Sequence, residues 1–345
     1  MVMIEINDVN TGRKVDVVYG GQFGSESKRL FIEYYINNFK PDMIISNFGP
    51  NSGGFASDGS KWATFPMRFD GKIMLSPGSI INVYNFIEEF NYLPDGAEVY
   101  IHENACYVND DNIKDESSRV TIGSTMTGTM EAAVQKMRRN IDNNNTAVTN
   151  KNLNIFTVNN KQWIKMILDA KRILLAVPQG HSLSLNFGFY PYCTSRNTSP
   201  QQALADAGIP IWMVDKIIGC FRTFPIRVSN RYDDDDNMIG FSGPCYSDQK
   251  ELIWEEVGVP PEITSISKKV RRVFTFSEEQ YVESILMNGC THVFLNFMNY
   301  LSPYLQEKLL SRLSRLGTPA KISWLGYGPT INDIKGGIKH DINTY

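Results

Sequence analysis

Val15-Asp16-Val17-Val18-Tyr19-Gly20-Gly21-Gln22-Phe23-Gly24-Ser25-Glu26-Ser27-Lys28 is an apolar run that breaks into a glycine-rich turn and then a lysine. A short buried strand feeding such a turn is how an α/β protein builds a phosphate cradle. The glycines let backbone N–H groups approach an anion, and the next helix offers its positive N-terminus. The spacing differs from the common P-loop, which sets four residues between its glycine and Gly-Lys-Ser/Thr. Taken alone, the segment reads either as a phosphate cradle or as an ordinary turn.

The rest of the chain repeats the strand-then-turn pattern. Strand-like runs occur at Val15–Tyr19, Met43–Ser46, Glu98–His102, Ile173–Val177, Ile217–Phe221 and His292–Leu295, and helical patterns at Glu131–Arg139, Gln201–Ala207, Glu278–Met287 and Pro303–Leu316. This alternation predicts an α/β fold with a mostly parallel central sheet flanked by helices. No internal repeat or composition break divides the chain, so residues 1–345 read as one domain with long functional loops. Asn140–Asn152 is asparagine-rich and predicts a surface loop. Asp233–Asp236 reads as a solvated hairpin tip rather than a metal site, because adjacent side chains diverge.

Composition sets outer bounds. The 345 residues are 42% hydrophobic and 21% charged, with a net charge of -3. A slightly acidic chain lacks the basic surface that nucleic-acid binding needs. No apolar stretch is long enough to span a bilayer. The five cysteines are scattered without a CxxC pair, which fits free thiols in a reducing cytoplasm rather than a zinc site. The N-terminus is charged by residue 5 and predicts no signal peptide. The expected location is cytoplasmic, with no membrane and no nucleic acid as partner.

Further constellations follow the strands. Asn47-Phe48-Gly49-Pro50-Asn51-Ser52-Gly53-Gly54-Phe55 is a second glycine-rich turn, suited to closing on a ligand or metal or to plain connection. Ile122-Gly123-Ser124-Thr125-Met126-Thr127-Gly128 clusters hydroxyls before a helix, as a phosphate site or an N-cap would. Gln179-Gly180-His181 and Tyr190-Pro191-Tyr192-Cys193-Thr194-Ser195 trail another buried strand, where α/β sheets place ligands. Lys268-Lys269-Val270-Arg271-Arg272 is a basic cluster, either a solvated face or a clamp for carboxylate and phosphate. Asn296-Phe297-Met298-Asn299 and Gly326-Tyr327-Gly328-Pro329 end strands and would frame a base or simply terminate them.

In this order, the segments resemble the adenylosuccinate synthetase family, which joins a 6-oxopurine nucleotide to L-aspartate using a nucleoside triphosphate and Mg²⁺. The family's Gln-Trp-Gly-Asp-Glu-Gly-Lys-Gly stands here as Gln22-Phe23-Gly24-Ser25-Glu26-Ser27-Lys28-Arg29. Its Gly-His-Asn-Ala-Gly-His-Thr matches Gly49 through Phe55, and its Ile-Gly-Thr-Thr-Gly-Arg-Gly matches Ile122 through Gly128. An arginine reaching into the partner subunit falls at Arg139. The family's Gln-Gly and Tyr-Pro-Tyr-Val-Thr-Ser match Gln179-Gly180 and Tyr190–Ser195. Its arginine-rich aspartate loop matches Ile266–Arg272, its base-recognition segment Asn296–Asn299, and its terminal Ser-Thr-Gly-Pro Gly326–Pro329. The resemblance spans about residues 15–335 and implies a P-loop-related α/β fold of the adenylosuccinate synthetase type.

Three departures carry information. The family's general-base and Mg²⁺-binding aspartate is Ser25, its general-acid histidine is Gly54, and its guanine-reading aspartate is Asn299. These replacements resemble a bacteriophage branch whose enzymes act on dGMP with ATP or dATP and make the succino precursor of 2-aminoadenine. For a phage-encoded chain the location is the host cytoplasm. A serine at position 25 leaves room for the 2-amino group of guanine. An amide at 299 offers the donor and acceptor that adenine needs, and an unpaired buried polar group costs about 1–3 kcal/mol. The alternative is an ordinary adenylosuccinate synthetase using IMP and GTP.

By the resemblance, Ser25, Lys28 and Gln179 are catalytic. Ser25, Asn51, Ser124, Thr125, Arg139, Gln179 and Thr194 hold dGMP. Gly24, Glu26, Ser27, Lys28, Arg29, Gly53, Arg271, Asn296, Asn299, Gly326, Gly328 and Pro329 hold ATP or dATP. Ser267, Lys269 and Arg271 hold L-aspartate, while Ser25 and Gly53 ligate Mg²⁺. Arg139 implies a homodimer. His181 is a candidate for the missing acid.

Overall fold

In the computed structural model, residues 12–119, 122–235, 237–264 and 269–336 are described. A 10-stranded sheet organises them. Its strands are β1 (Val15–Gly20), β2 (Met43–Ser46), β3 (Lys72–Leu75), β4 (Glu98–His102), β5 (Thr157–Val158), β6 (Ile173–Ala176), β7 (Val214–Arg222), β8 (His292–Asn296), β9 (Lys321–Gly326) and β10 (Ile334–Gly336). They lie in the order β10-β9-β8-β7-β1-β6-β2-β3-β4-β5. Every neighbouring pair is parallel except β9 with β10. The α/β class expected from the alternation is the one observed.

Helices cover both faces, which is why β1 is apolar on successive residues rather than on alternate ones. Val15, Val17 and Tyr19 pack into one core with Tyr281 and Ile285 of helix Glu278–Asn288 and with Leu309 and Leu313 of helix Pro303–Ser314. Val18 faces the other core with Leu30, Phe31, Ile32 and Tyr35 of helix Lys28–Phe39. Asp16 is the charged exception in β1. Its buried carboxylate accepts from the Tyr35 hydroxyl and the Lys216 backbone N–H, and Arg172 lies 3.6 Å away. Burial and the neighbouring carboxylate push the Tyr35 phenol well above its ordinary pKa.

The chain leaves β1 towards β2 through helix Lys28–Phe39 on one face. It leaves β7 towards β8 through helix Glu278–Asn288 on the opposite face. Adjacent strands whose connections part in this way open a crevice beyond their carboxyl ends, the place where α/β sheets bind ligands. Fold and site location are thus one consequence of strand order.

Two loop readings are refined. Asp233 accepts from the N–H groups of Asp235 and Asn237 between strands Arg231–Tyr232 and Met238–Gly240, as a hairpin tip should; Asp236 lies outside the described residues. Asn140–Asn152 is mostly exposed, but Asn145 is buried and donates to the carbonyls of Tyr107 and Ala132. That segment is therefore pinned to the strand Cys106–Val108 and to helix Thr129–Arg138.

Gly21 follows β1 directly beneath Phe221. A Cβ there would stand 2.3 Å from the Phe221 ring, which is fully buried and also contacts Tyr281. We expect Gly21→Ala to lower unfolding free energy by about 1–3 kcal/mol, the usual cost of overpacking. Urea denaturation followed by circular dichroism measures it.

Candidate functional site

The turn after β1 is built around a buried carboxylate. Glu26 is inaccessible to solvent, and its Oε1 accepts from the N–H groups of Gln22 at 3.0 Å and Gly24 at 2.7 Å. Its Oε2 accepts from the Lys28 ammonium at 3.0 Å. Lys28 also donates to the Gln179 carbonyl, which ties the turn to the loop after β6. Gly180 makes this approach possible: a Cβ there would lie 2.4 Å from the Gly24 nitrogen. Gly24, Ser25 and Ser27 all adopt left-handed backbone, with φ of 87°, 62° and 59°. Non-glycine residues held in that region mark sites where the surroundings over-determine the chain.

Helix Lys28–Phe39 begins at Ser27 without a side-chain cap and with no acidic residue in its first turn. Its first N–H groups are left for an anion. The glycine-rich turn after β1 thus has the uncapped helix start that the phosphate-cradle expectation requires, with a spacing that is not that of the common P-loop.

A cavity of about 640 Å³ opens over this turn. Gly24, Ser25, Ser27, Lys28 and Arg29 form its floor; Asn51, Gly53, Ser124 and Thr125 line it from one group of loops. Gln179, Thr194, Lys269 and Arg271 complete the expected set at the cavity. The loops are already joined to one another. Gln179, itself left-handed, donates from Nε2 to the Asn51 carbonyl at 2.8 Å, and Asn51 donates to the Thr194 hydroxyl at 3.3 Å.

Other expected residues are placed elsewhere. Glu26 lies behind the cavity wall, so its carboxylate shapes the turn rather than facing a ligand. Arg29 reaches the cavity, but its guanidinium donates to the carbonyls of Phe65, Pro66 and Ser52. Burial pushes the Arg29 pKa down to about 10. Asn296 is buried, and its side chain accepts from the Phe297 N–H, while the neighbouring Phe297 ring lines the cavity. Asn299 is exposed in the short turn beyond β8, and Gly326, Gly328 and Pro329 sit at and after the end of β9, all outside the cavity wall. Arg139 is exposed at the C-terminus of helix Thr129–Arg138. Ser267 lies outside the described residues.

His181 is a correction. It is buried away from the cavity, accepting at Nδ1 from the Asn288 amide at 3.0 Å and facing Glu283 at 3.3 Å through Nε2. Both ring nitrogens are committed to helix Glu278–Asn288, so the imidazole cannot serve as the missing acid.

Three residues escaped the sequence reading. Arg222, the last residue of β7, is fully buried, and its guanidinium donates to the Ser25 carbonyl at 3.1 Å. The same guanidinium forms a two-pronged ion pair with Glu262 and lies 3.9 Å over the Phe297 ring. Glu262 lines the cavity next to Arg271, whose pKa burial lowers and Glu262 raises. Arg227 lies over Phe23 at 4.5 Å and donates to the carbonyls of Tyr192, Ser242 and Pro244. The faint signal was position: Arg222 and Arg227 frame the carboxyl end of a central strand.

Because Glu26 answers two N–H groups and an ammonium at once, an amide cannot replace it. We expect Glu26→Gln to lower stability by about 2 kcal/mol, in the range for a charged buried hydrogen bond. Thermal unfolding followed by circular dichroism reads it.

The sequence profile described as adenylosuccinate synthetase matches residues 141–306. The N6-succino-2-amino-2'-deoxyadenylate synthase of Salmonella phage PMBT28 is 35% identical over 96% of this chain and 100% of its own. The solved succinoaminodeoxyadenylate synthetase of cyanophage S-2L, bound to dGMP and dATP as an energy donor, is 30% identical. It superposes with a TM-score of 0.86 over 94% of this chain and 95% of its own. The Plasmodium falciparum adenylosuccinate synthetase shares the fold, with a TM-score of 0.72 at 17% identity. With relatives of this identity and extent, the chain belongs to the adenylosuccinate synthetase family.

Proposed function

We propose that this chain joins L-aspartate to C6 of dGMP with hydrolysis of ATP or dATP, as a C–N ligase. The product is N6-succino-2-amino-2'-deoxyadenylate, for 2-aminoadenine DNA synthesis. The observation that carries the reading is Ser25. It stands exposed at the cavity floor where the family's base would be an acid, and it is pinned in left-handed backbone by Arg222. A hydroxyl there leaves space beside N1 for the exocyclic amine of guanine. The phage relatives of matching length support the same choice over IMP and GTP.

The reaction runs in two steps. Guanine O6 attacks the γ-phosphorus, the bond to the nucleoside diphosphate breaks, and the N1 proton leaves. The amine of aspartate then attacks C6, expels phosphate and sheds its own proton. Such transfer depends on positioning and charge neutralisation. Lys28 and the open N-terminus of helix Lys28–Phe39 neutralise the transferred phosphoryl group. Gln179, with Asn51 and Thr194 already hydrogen-bonded around it, orients the purine and its nucleotide. Ser124 and Thr125 hold the 5'-phosphate, and Lys269 and Arg271 hold the carboxylates of aspartate, joined by Ser267.

The oxygens at the cavity fit Mg²⁺ in a limited way. Among the described residues no cluster of three or more His, Cys, Asp or Glu side chains is gathered for a metal. The Ser25 hydroxyl and the Gly53 backbone are neutral oxygen donors, which suit a hard cation that takes most of its shell from phosphate and water. There the ion would supply charge neutralisation across the triphosphate.

Arg139 lies outside the cavity wall, so we assign it to the 5'-phosphate of a partner subunit in a homodimer. Met137 and Ile141 beside it are 67% and 92% exposed, an apolar surround that a second copy would cover. No described helix is long and apolar enough to cross a membrane, and a host-cytoplasmic location follows from the proposed reaction.

Mass spectrometry of a mixture of dGMP, L-aspartate and dATP should show the succino product, with dGMP strongly preferred to IMP. Equal turnover of IMP and dGMP would overturn the reading. Ser25→Ala should lose about 10²-fold in turnover if the hydroxyl relays a proton, and full turnover would remove it from the chemistry. Arg139→Ala should be nearly inactive yet regain activity when mixed with a Lys28→Ala subunit, because the latter would supply Arg139 to the one site that keeps its Lys28. A fully active monomer would refute the shared site.

A further inference from the structure

Glu262 is the one carboxylate on the wall of the cavity among the described residues. Its neighbours there are cationic: Lys269 and Arg271 line the same wall, and Arg222 pairs with it from behind. The two ends of that pair differ. The Arg222 side chain is 0% exposed, whereas that of Glu262 is 25% exposed. The acid is therefore held in place by a buried cation while presenting an open edge to the ligand space.

The chemistry of the second substrate requires such a group. L-Aspartate carries two carboxylates and one α-ammonium, so its complement is two cations and one anion. Lys269 and Arg271 supply the cations, but in the reading above nothing has been assigned to the ammonium. We propose that Glu262 is the specificity-determining residue for the α-ammonium of the amino-acid substrate, an inference that rests on the aspartate ligation proposed above. A carboxylate has about four lone-pair positions. Arg222 takes one on each oxygen, and the Tyr300 hydroxyl approaches Oε1 at 3.4 Å. An open lone pair remains for an N–H⁺ donor from the cavity. The same contact orients the nitrogen that attacks C6, and it disfavours dicarboxylates that lack an amine.

Glu262 also braces Arg222, and through it the Ser25 carbonyl, so loss of activity alone would not separate recognition from support. Succinate separates them, because it keeps both carboxylates of aspartate and lacks the ammonium. In Glu262→Gln the KM for L-aspartate should rise about tenfold or more, as for loss of a charge-assisted contact. Succinate inhibition should stay unchanged or tighten, since a like charge has gone. The KM values for dGMP and dATP should change less than that for L-aspartate, while the unfolding temperature should fall because buried Arg222 loses its charged partner. Glu262→Asp keeps the charge on a shorter arm, and its aspartate KM should lie between wild type and Gln.

Parallel weakening of aspartate and succinate, or an unchanged aspartate KM, would overturn the proposal. An Asp variant as impaired as Gln towards both ligands would do the same. Product formation by the wild-type chain tests the ligation itself, and the aspartate-to-succinate ratio tests Glu262, so the two failures are told apart.

Discussion

A single buried carboxylate organises the centre of this molecule. Glu26 takes two backbone N–H groups on one oxygen and an ammonium on the other, and a neutral amide would lose the ammonium contact. An unpaired buried charge costs several kcal/mol, so a turn that satisfies it fully becomes rigid. Rigidity is what the turn needs. Its left-handed residues lead into a helix start that carries no side-chain cap. Lys28 then reaches from the same carboxylate to the Gln179 carbonyl, joining the loops after β1 and β6.

A second tier of buried cations supports that centre. Arg29 secures the loops at 52 and 65–66, Arg222 secures Ser25, and Arg227 secures the loops at 192 and 242–244. Arg29 and Arg227 use a planar fork of donors on backbone carbonyls, and Arg222 turns its fork on the Glu262 carboxylate with one bond to the Ser25 carbonyl. Glu89 does the converse for one loop, accepting from the N–H groups of Ala63, Thr64 and Phe65. Long loops with little secondary structure become a shaped wall because charged side chains replace the missing backbone pairing. The desolvation of these charges is offset by the partners that their guanidinium groups engage.

Much of the fold was legible because its cause is local. β2 and β4 fall where the apolar runs Met43–Ser46 and Glu98–His102 put them. A buried parallel strand must be apolar on both faces, and that pattern survives in a bare sequence. Strand order was not legible in that way; which strand flanks β1 depends on how two cores close over it. The cavity residues divide similarly. Those on glycine-rich turns after strands, such as Ser25, Lys28 and Gln179, were found because the turns announce themselves. Arg222 and Glu262 lie 40 positions apart, on a strand end and in a loop of no special composition, and only folding makes them a pair.

The opposite error has the same origin. His181 adjoins a motif that lines the cavity, yet its ring turns away to Asn288 and Glu283. Neighbours in sequence share a backbone path but not a direction, because side-chain direction is set by packing. What the chain alone determined was its class, its strands and the turns able to receive phosphate, since periodicity and backbone freedom act over a few residues. What only the tertiary structure decided was which charged groups face the cavity and which brace it from behind, because burial and ion pairing join residues that the sequence keeps far apart.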